Sequence, residues 1–235
     1  MKYLKLFFLL SIFTFSSCAE LQQVMESMPA QMDSETIARG LRQALDQGID
    51  KQVTKLTKKD GFYGNPLVKI MLPKELQKVD KTLRDIGLGS LADEGLKLLN
   101  AAAEDAVKEA TPIFVDAVRG ITFADAKNIL LGPDNAATSY LEGRTDKALY
   151  SKFNPVIQSS FSRVGADQIW KNIIERYNAV PFVQPVNPDL TDYVTQEALK
   201  GVYTMISVEE KEIRNNISAR TTPLLKQVFA LQDKK

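Results

Sequence analysis

Residues 132–144 hold the side chains best suited to bind a ligand. A Gly-Pro turn leads into Asn135 and a run of small residues, which predicts the start of a helix. The first backbone N–H groups of a helix have no partner within it, so an anion or a carbonyl oxygen can bind there. Thr138 and Tyr140 would add hydroxyl groups, and Arg144 would add a positive charge. These four side chains are therefore candidate ligand-binding residues.

A second candidate ligand-binding residue is Asn65. The residues of its loop, and those at the predicted helix start, can also be explained by backbone conformation alone. Asn65 lies with Tyr63 in a loop between two structured segments, and loops carry function more often than core positions do. A Gly-Asn-Pro turn can equally serve the backbone alone. At the predicted helix start, Asn135 or Asp134 can bind the free amides itself, and a carboxylate there would repel an anion. Both alternatives stay open at this point.

The composition removes most familiar catalytic and metal chemistry. The 235 residues include no histidine and one cysteine. The usual general base near pH 7, the Ser-His and Cys-His pairs and the commonest zinc ligand are therefore absent. No serine is followed by a lysine at the S-x-x-K spacing of one lysine-activated class. We predict no catalytic residue, no metal site and no cofactor, with an enzyme built around residues 132–144 as the alternative.

Paired carboxylates could in principle supply an acid/base pair or oxygen ligands for a metal ion. The pairs Asp93-Glu94, Glu104-Asp105 and Glu209-Glu210 all fall in predicted helices. Adjacent residues on a helix point about 100° apart, so the two carboxylates of a pair cannot face one spot. We interpret them as solvated helix faces, with Glu209 and Glu210 in a first helical turn.

The N-terminus predicts an export signal that ends in a lipid anchor. Two lysines precede residues 6–15, an uncharged and mostly apolar run of 10 residues. That run is about half the roughly 20 residues needed to cross a bilayer, as in a signal peptide. Cys18, the only cysteine, directly follows two serines, which resembles the lipobox of bacterial lipoproteins although Phe15 replaces the usual leucine. The resemblance implies cleavage before Cys18 and its acylation; the alternative is a secretory peptide with a chance cysteine.

These features give a domain organisation and a location. We predict a signal peptide at 1–17, a lipidated linker at 18–33, a helical domain at 34–231 and a tail, frayed in structure, at 232–235. The mature chain would carry 28 basic and 29 acidic side chains, which gives no electrostatic reason to bind nucleic acid. We expect an exported protein that is anchored to the membrane through Cys18 and faces the periplasm. An envelope protein or an apolar ligand would be its further partner.

Apolar residues recur at three- and four-residue steps over most of the chain from Ser34, which predicts helices. We expect a single all-α, bundle-like domain of about eight to ten helices. Only two segments, around 68–72 and 180–186, permit an extended backbone, so at most one short two-stranded β element is available. The predicted helices are 34–56, 73–86, 91–110, one capped by Thr111, 122–131, 136–142, 146–164 with a break at Asn154-Pro155, 169–177, one from Leu190 that restarts at Ser207, and one opened by Thr222-Pro223.

Several short motifs follow one another in a characteristic order. They are Phe62-Tyr63-Gly64-Asn65-Pro66, Ile70-Met71-Leu72-Pro73, Leu99 to Glu104, Ala110 to Phe114, Thr122 to Ala126, Ala136 to Leu141, Glu209-Glu210 with Ile213-Arg214, and Arg220-Thr221-Thr222. Together they resemble the bacterial domain-of-unknown-function family DUF4197 over residues 34–230. That family has no established activity, so the resemblance implies a relative and no mechanism. We interpret the protein as an uncharacterised membrane-anchored envelope lipoprotein with a non-enzymatic binding or structural function.

Overall fold

The computed structural model describes residues 32–73, 77, 81, 84–85, 87, 89–179, 181–182 and 184–233. The predicted signal peptide, Cys18, most of the linker and most of the helix predicted at 73–86 lie outside these residues. The described part of the chain holds eight α-helices and no β-strand, so the all-α prediction is confirmed. The helices are α1 (Ser34–Leu56), α2 (Gly89–Val107), α3 (Ala110–Arg119), α4 (Phe123–Leu130), α5 (Ala136–Ser162), α6 (Ala166–Asn178), α7 (Leu190–Asn215) and α8 (Pro223–Phe229).

The two longest helices, α5 and α7, form the centre of the domain and run antiparallel. Ala137, at the start of α5, bonds to Glu210 near the end of α7. Further along α5, the Tyr150 hydroxyl donates to Asp192 at the start of α7, over 2.7 Å. Helix α2 packs against both, and α3, α4 and α6 pack against α5. A stripe of buried α5 side chains faces these neighbours, namely Leu141, Leu149, Phe153, Ile157 and Phe161.

Glycines allow close packing at two crossings. A Cβ on Gly40 of α1 would lie 2.5 Å from Cγ2 of Val228 in α8. A Cβ on Gly201 of α7 would lie 2.7 Å from Cε1 of Phe62. Both distances are too short for a Cβ atom. Helix α8 can therefore pack this closely on α1, and Phe62 on α7, because residues 40 and 201 are glycines.

Four predicted helix boundaries are wrong. The helices predicted at 136–142 and 146–164 are one helix, α5 (Ala136–Ser162). Helix α5 continues through Pro155, although an interior proline costs about 3 kcal/mol, since buried Phe153 and Ile157 flank it. Helix α7 likewise continues through Ser207, which caps nothing. Helix α3 begins at Ala110 rather than after Thr111. Pro112 then lies in the first turn of α3, where the missing N–H of a proline costs little.

Other helix starts follow the sequence closely. The Thr122 hydroxyl accepts from Asp125 N–H, and the Asp125 carboxylate accepts from Thr122 N–H, so α4 opens with a capping box. The Thr222 hydroxyl accepts from Leu225 N–H, and Pro223 takes the first position of α8. These caps are local in sequence, and for that reason the sequence predicts them well.

The two segments that permit strands each pair with an asparagine side chain instead. Ile70 N–H donates to Asn100 Oδ1 over 2.8 Å, and Asn100 Nδ2 donates back to Ile70 C=O over 2.9 Å. Val186 exchanges the same pair of bonds with Asn178, over 2.9 and 2.8 Å. A primary amide presents one donor and one acceptor, as a neighbouring strand would. At Ile70 and Val186 the backbone therefore bonds to a side chain in place of a neighbouring strand; residues 180 and 183 lie outside the description.

Candidate functional site

The backbone amides at the start of α5 bind a carboxylate from α7. Glu210 Oε1 accepts from Ala137 N–H over 2.8 Å, and Oε2 accepts from Thr138 N–H over 2.8 Å. The Thr138 hydroxyl donates to the same Oε2 over 2.7 Å. Asn135 precedes the helix but makes no side-chain cap bond. The backbone amides predicted to receive a ligand are therefore bonded to Glu210, which is 73 positions from Ala137 and 72 from Thr138.

Arg214 balances the charge of Glu210 one helical turn further along α7. Its guanidinium lies 2.9 Å from Glu210 Oε1 and is almost fully buried. It also donates to the carbonyls of Ile129 and Leu130, over 2.8 and 3.0 Å, at the end of α4. A carboxylate at a helix N-terminus and a cation at a helix C-terminus are both favoured by the helix dipole. The pair thus joins α4, α5 and α7.

A second buried arginine closes the end of α7. Arg220 donates to Ile213 C=O over 3.0 Å and to Arg214 C=O over 2.8 Å. It also donates to the Asp233 carboxylate over 2.7 Å, and this hydrogen bond lowers the Asp233 pKa. Gln232 Nε2 donates to Arg214 C=O over 2.7 Å. Gln232 and Asp233, predicted as a frayed tail, are therefore bonded to the domain.

Glu209 points away from Glu210 and finds its own partners on α1. Its carboxylate accepts from Lys51 Nζ and from Gln52 Nε2, each over 2.6 Å. Glu209 and Glu210 are each only 7% exposed, so their interpretation as a solvated face is wrong. Adjacent helix residues do point apart, as expected, but each reaches a different packed helix. Beside them lies a cavity of about 20 Å³, which is room for about one water.

The predicted ligand-binding residues do not converge on one pocket. Tyr140 and Arg144 lie on the side of α5 away from Thr138, with the Arg144 guanidinium carbon 5.3 Å from the Tyr140 ring centroid. Burial raises the Tyr140 pKa, while Arg144 lowers it. Asn135 is exposed ahead of the helix. Asn65 is engaged within its own surroundings, since Oδ1 accepts from Leu67 N–H over 3.1 Å and Nδ2 lies 3.4 Å from Met205 Sδ. A ligand-binding role for these residues stays a prediction.

The motif loop that contains Asn65 is tied to α2. Besides the Asn100 bonds to Ile70, Phe62 N–H donates to Glu104 Oε1 over 3.1 Å. Asn100 and Glu104 are one turn apart on α2, so they hold two points of the same loop. Burial raises the Glu104 pKa, and hydrogen bonds from the loop backbone partly oppose this.

A larger space lies between α5 and α7, on the outer side of Thr138. This α5–α7 groove has a volume of about 420 Å³. Glu142 and Asp146 line it from α5, and Lys200 and Lys211 line it from α7. The hydroxyls of Thr138, Tyr203, Thr204 and Ser207 also lie along it. The groove therefore carries acids on one wall and lysines on the other.

The charges of the α5–α7 groove are not neutralised by each other. Glu142, Asp146 and Lys211 form no ion pair within 4 Å with any described residue, and Lys200 pairs only with Glu197 of its own helix, at 3.6 Å. Burial, together with the charges of Asp146 and Glu142, raises the Tyr203 pKa to about 12 against the opposing bond to Thr145. Tyr203 is therefore a neutral hydroxyl near pH 7. Three of the charged groups remain available to a ligand.

Metal ligands and membrane spans can be judged only for the described part of the chain. There, no three acidic or cysteine side chains come together as a metal site would require. Within the same residues, no helix combines the length and the apolar character needed to cross a bilayer.

Sequence reasoning missed the buried charges, although a signal for them exists. Glu209, Glu210 and Arg214 fall at the same helical steps as Ile206 and Ile213, which are apolar and buried. Charged residues that continue an apolar stripe indicate buried, paired groups. The i, i+4 spacing of Glu210 and Arg214 supports the same conclusion.

Comparison with known proteins gives one result on the family. The sequence model of a family described as "Protein of unknown function (DUF4197)" matches residues 31–230. No curated protein and no solved structure matches the chain. The match includes every motif on which the resemblance was based.

Proposed function

The chain belongs to the DUF4197 family of proteins of unknown function. From the sequence around Cys18 and the geometry of the helical domain, we propose a lipid-anchored binding protein of the bacterial envelope. In this proposal the α5–α7 groove takes a ligand and does not change it chemically. Cys18 carries the anchor, and the protein faces the periplasm.

The observation that carries the binding role is the α5–α7 groove itself. Its volume of about 420 Å³ lies within the range of small-molecule sites. Glu210 and Arg214, which join helices, are paired with each other at 2.9 Å. Glu142, Asp146 and Lys211 instead face a common space with no described ion-pair partner. Such an arrangement supports recognition of a charged ligand.

The groups in the groove favour binding over catalysis. Tyr203 has a pKa of about 12 and cannot act as a base near pH 7. The amides of Ala137 and Thr138, which an enzyme around residues 132–144 would need for an oxyanion, are bonded to Glu210. These two points support a non-enzymatic role.

Support for the anchor comes from the sequence around Cys18. Between Cys18 and the first described residue, Met32, the chain has 13 residues, and the 14 steps from Cys18 to Met32 reach at most about 50 Å. A domain of some 200 residues is about 40 Å across. A linker of this length is compatible with anchoring the domain to a bilayer through Cys18.

Replacing Cys18 with Ser tests the anchor. We expect the wild-type protein in the membrane fraction and Cys18→Ser in the soluble fraction, because the acyl chains supply the affinity for the bilayer. A Ser17→Ala variant is the matched control and should stay with the membrane. Sedimentation of Cys18→Ser with membranes would contradict lipid anchoring.

Native mass spectrometry of the protein extracted gently from its own envelope tests the groove. We expect a bound mass on the wild type that is lost from Ser207→Trp, whose indole fills the groove. Ser151→Trp, on the exposed outer face of α5, should keep the bound mass. Thermal melts must show both variants folded. The proposal fails if the wild type carries no bound mass or if all three proteins carry the same one.

A further inference from the structure

We infer that the α5–α7 groove recognises a zwitterion whose ammonium and carboxylate groups are about 10 Å apart, and that a short peptide with free ends is the ligand class. This inference rests on the proposed function and names the ligand of that same site.

The arrangement of charge decides the class. Glu142 and Asp146 lie one turn apart on α5, about 6 Å along the axis. Lys200 and Lys211 lie on the opposite wall, eleven residues and about 16 Å apart. A simple anion would be attracted by one wall and repelled by the other, and a simple cation likewise. A molecule with one charge of each sign gains from both walls.

The register of the two helices places the acids between the lysines. Thr138 meets Glu210, and Thr145 Oγ1 lies 2.9 Å from the Tyr203 hydroxyl. Along these antiparallel helices Lys200 and Lys211 therefore lie beyond the two acids, one toward each end of the groove. A ligand ammonium at the acids thus has a lysine within reach of its carboxylate in either direction.

The size of the space fits a peptide of about three residues. Such a peptide spans about 10 Å when extended, and packed helix axes are about 8 to 10 Å apart. On the α7 wall, between Lys200 and Lys211, lies Ser207, whose hydroxyl has no hydrogen-bond partner among the described residues. It can bond to a peptide group of the ligand.

The probe is tri-alanine, titrated calorimetrically into the full mature protein in detergent micelles. N-acetyl-tri-alanine lacks the ammonium, and tri-alanine amide lacks the carboxylate. We expect free tri-alanine to bind and each blocked form to bind about three- to tenfold more weakly, the range that one or two exposed ion pairs supply.

Charge-neutral variants assign each end of the probe to a wall. In Glu142→Gln/Asp146→Asn, acetylation of the probe should no longer matter, while amidation still does. In Lys200→Gln/Lys211→Gln the reverse should hold. Lys147→Gln/Lys226→Gln removes two exposed lysines away from the groove and should behave as the wild type. All variants are compared only where thermal melts show them folded.

Two results would overturn the inference. One is no detectable binding of free tri-alanine; the other is equal binding of the free and blocked forms. If the bound mass still depends on Ser207, the groove binds another class of molecule and the proposed function survives. If no bound mass is found either, both proposals fail.

Discussion

Helix α7 carries two sets of charged residues that differ in burial and in their partners. Glu209, Glu210 and Arg214 face inward, are nearly excluded from solvent, and bond to α1, α5 and α4. Lys200 and Lys211 face the α5–α7 groove and are exposed. The inner set therefore joins helices, whereas in our proposal the outer set binds a ligand.

The two sets should differ just as clearly in energy. Removing one partner of a buried ion pair leaves an uncompensated charge and costs about 3 to 5 kcal/mol. An exposed ion pair contributes about 0 to 1 kcal/mol. Substitutions of comparable size on one helix can therefore distinguish a structural charge from a binding charge.

The largest effect is expected for Glu210→Ala. The change removes the acceptor of Ala137 and Thr138 and leaves the Arg214 charge buried. We expect the free energy of unfolding to fall by about 3 to 5 kcal/mol, measured by chemical denaturation. Glu212→Ala, two residues along and exposed, should change it by less than about 0.5 kcal/mol. Similar losses in both variants would show that the inner network does not hold the fold.

Asn100→Ala extends the comparison to an uncharged buried group. Asn100 bonds to both backbone groups of Ile70 and also to Leu96 C=O, over 2.7 Å. Its loss leaves buried backbone groups without partners, so we expect a decrease in the free energy of unfolding of about 2 to 3 kcal/mol. Asn172→Ala, at an exposed position of α6, is the matched control. If Asn100→Ala lowered the free energy of unfolding as little as Asn172→Ala does, the Asn100 amide would not replace a neighbouring strand as described.

The pH dependence of stability should differ between Glu104, whose pKa is raised, and Asp233, whose pKa is lowered. Burial raises the Glu104 pKa above its ordinary value of 4.5. Its stabilising contribution is thus greatest below that value and is lost as pH rises through the folded pKa. We therefore expect the stability of Glu104→Gln relative to the wild type to increase as pH rises above 4.5 through the folded pKa. Denaturation at several pH values measures this difference.

Asp233 provides the opposite case for the same experiment. The Arg220 hydrogen bond holds the Asp233 pKa below its ordinary value of 3.8. Its contribution is present above that value and is lost as pH falls through the folded pKa. The deficit of Asp233→Asn should therefore be full near neutral pH and should vanish in acid. Two difference curves of the same sign would show that burial and ion pairing do not act as described.

Local signals predict much of the fold, and distant partners explain what they miss. The capping residues Thr122 and Thr222 are recognisable because each cap lies within three residues of its partner. The continuity of α5 through Pro155 is not predictable locally, since the buried stripe on both sides decides it. The sequence correctly marks residues 136–138 as a helix start, but Glu210 supplies the carboxylate from 72 residues away. Likewise the α5–α7 groove exists only once α5 and α7 pack.

The smallest effect on stability, and the most direct test of the central claim, is expected for Lys200→Gln/Lys211→Gln. Both side chains are exposed, so the free energy of unfolding should change by less than about 0.5 kcal/mol. The decisive measurement is the affinity of this folded variant for tri-alanine. The account predicts binding about three- to tenfold weaker than that of the wild type, with the melting temperature unchanged. Unchanged affinity in a fully folded variant would contradict the assignment of the outer charges to a ligand.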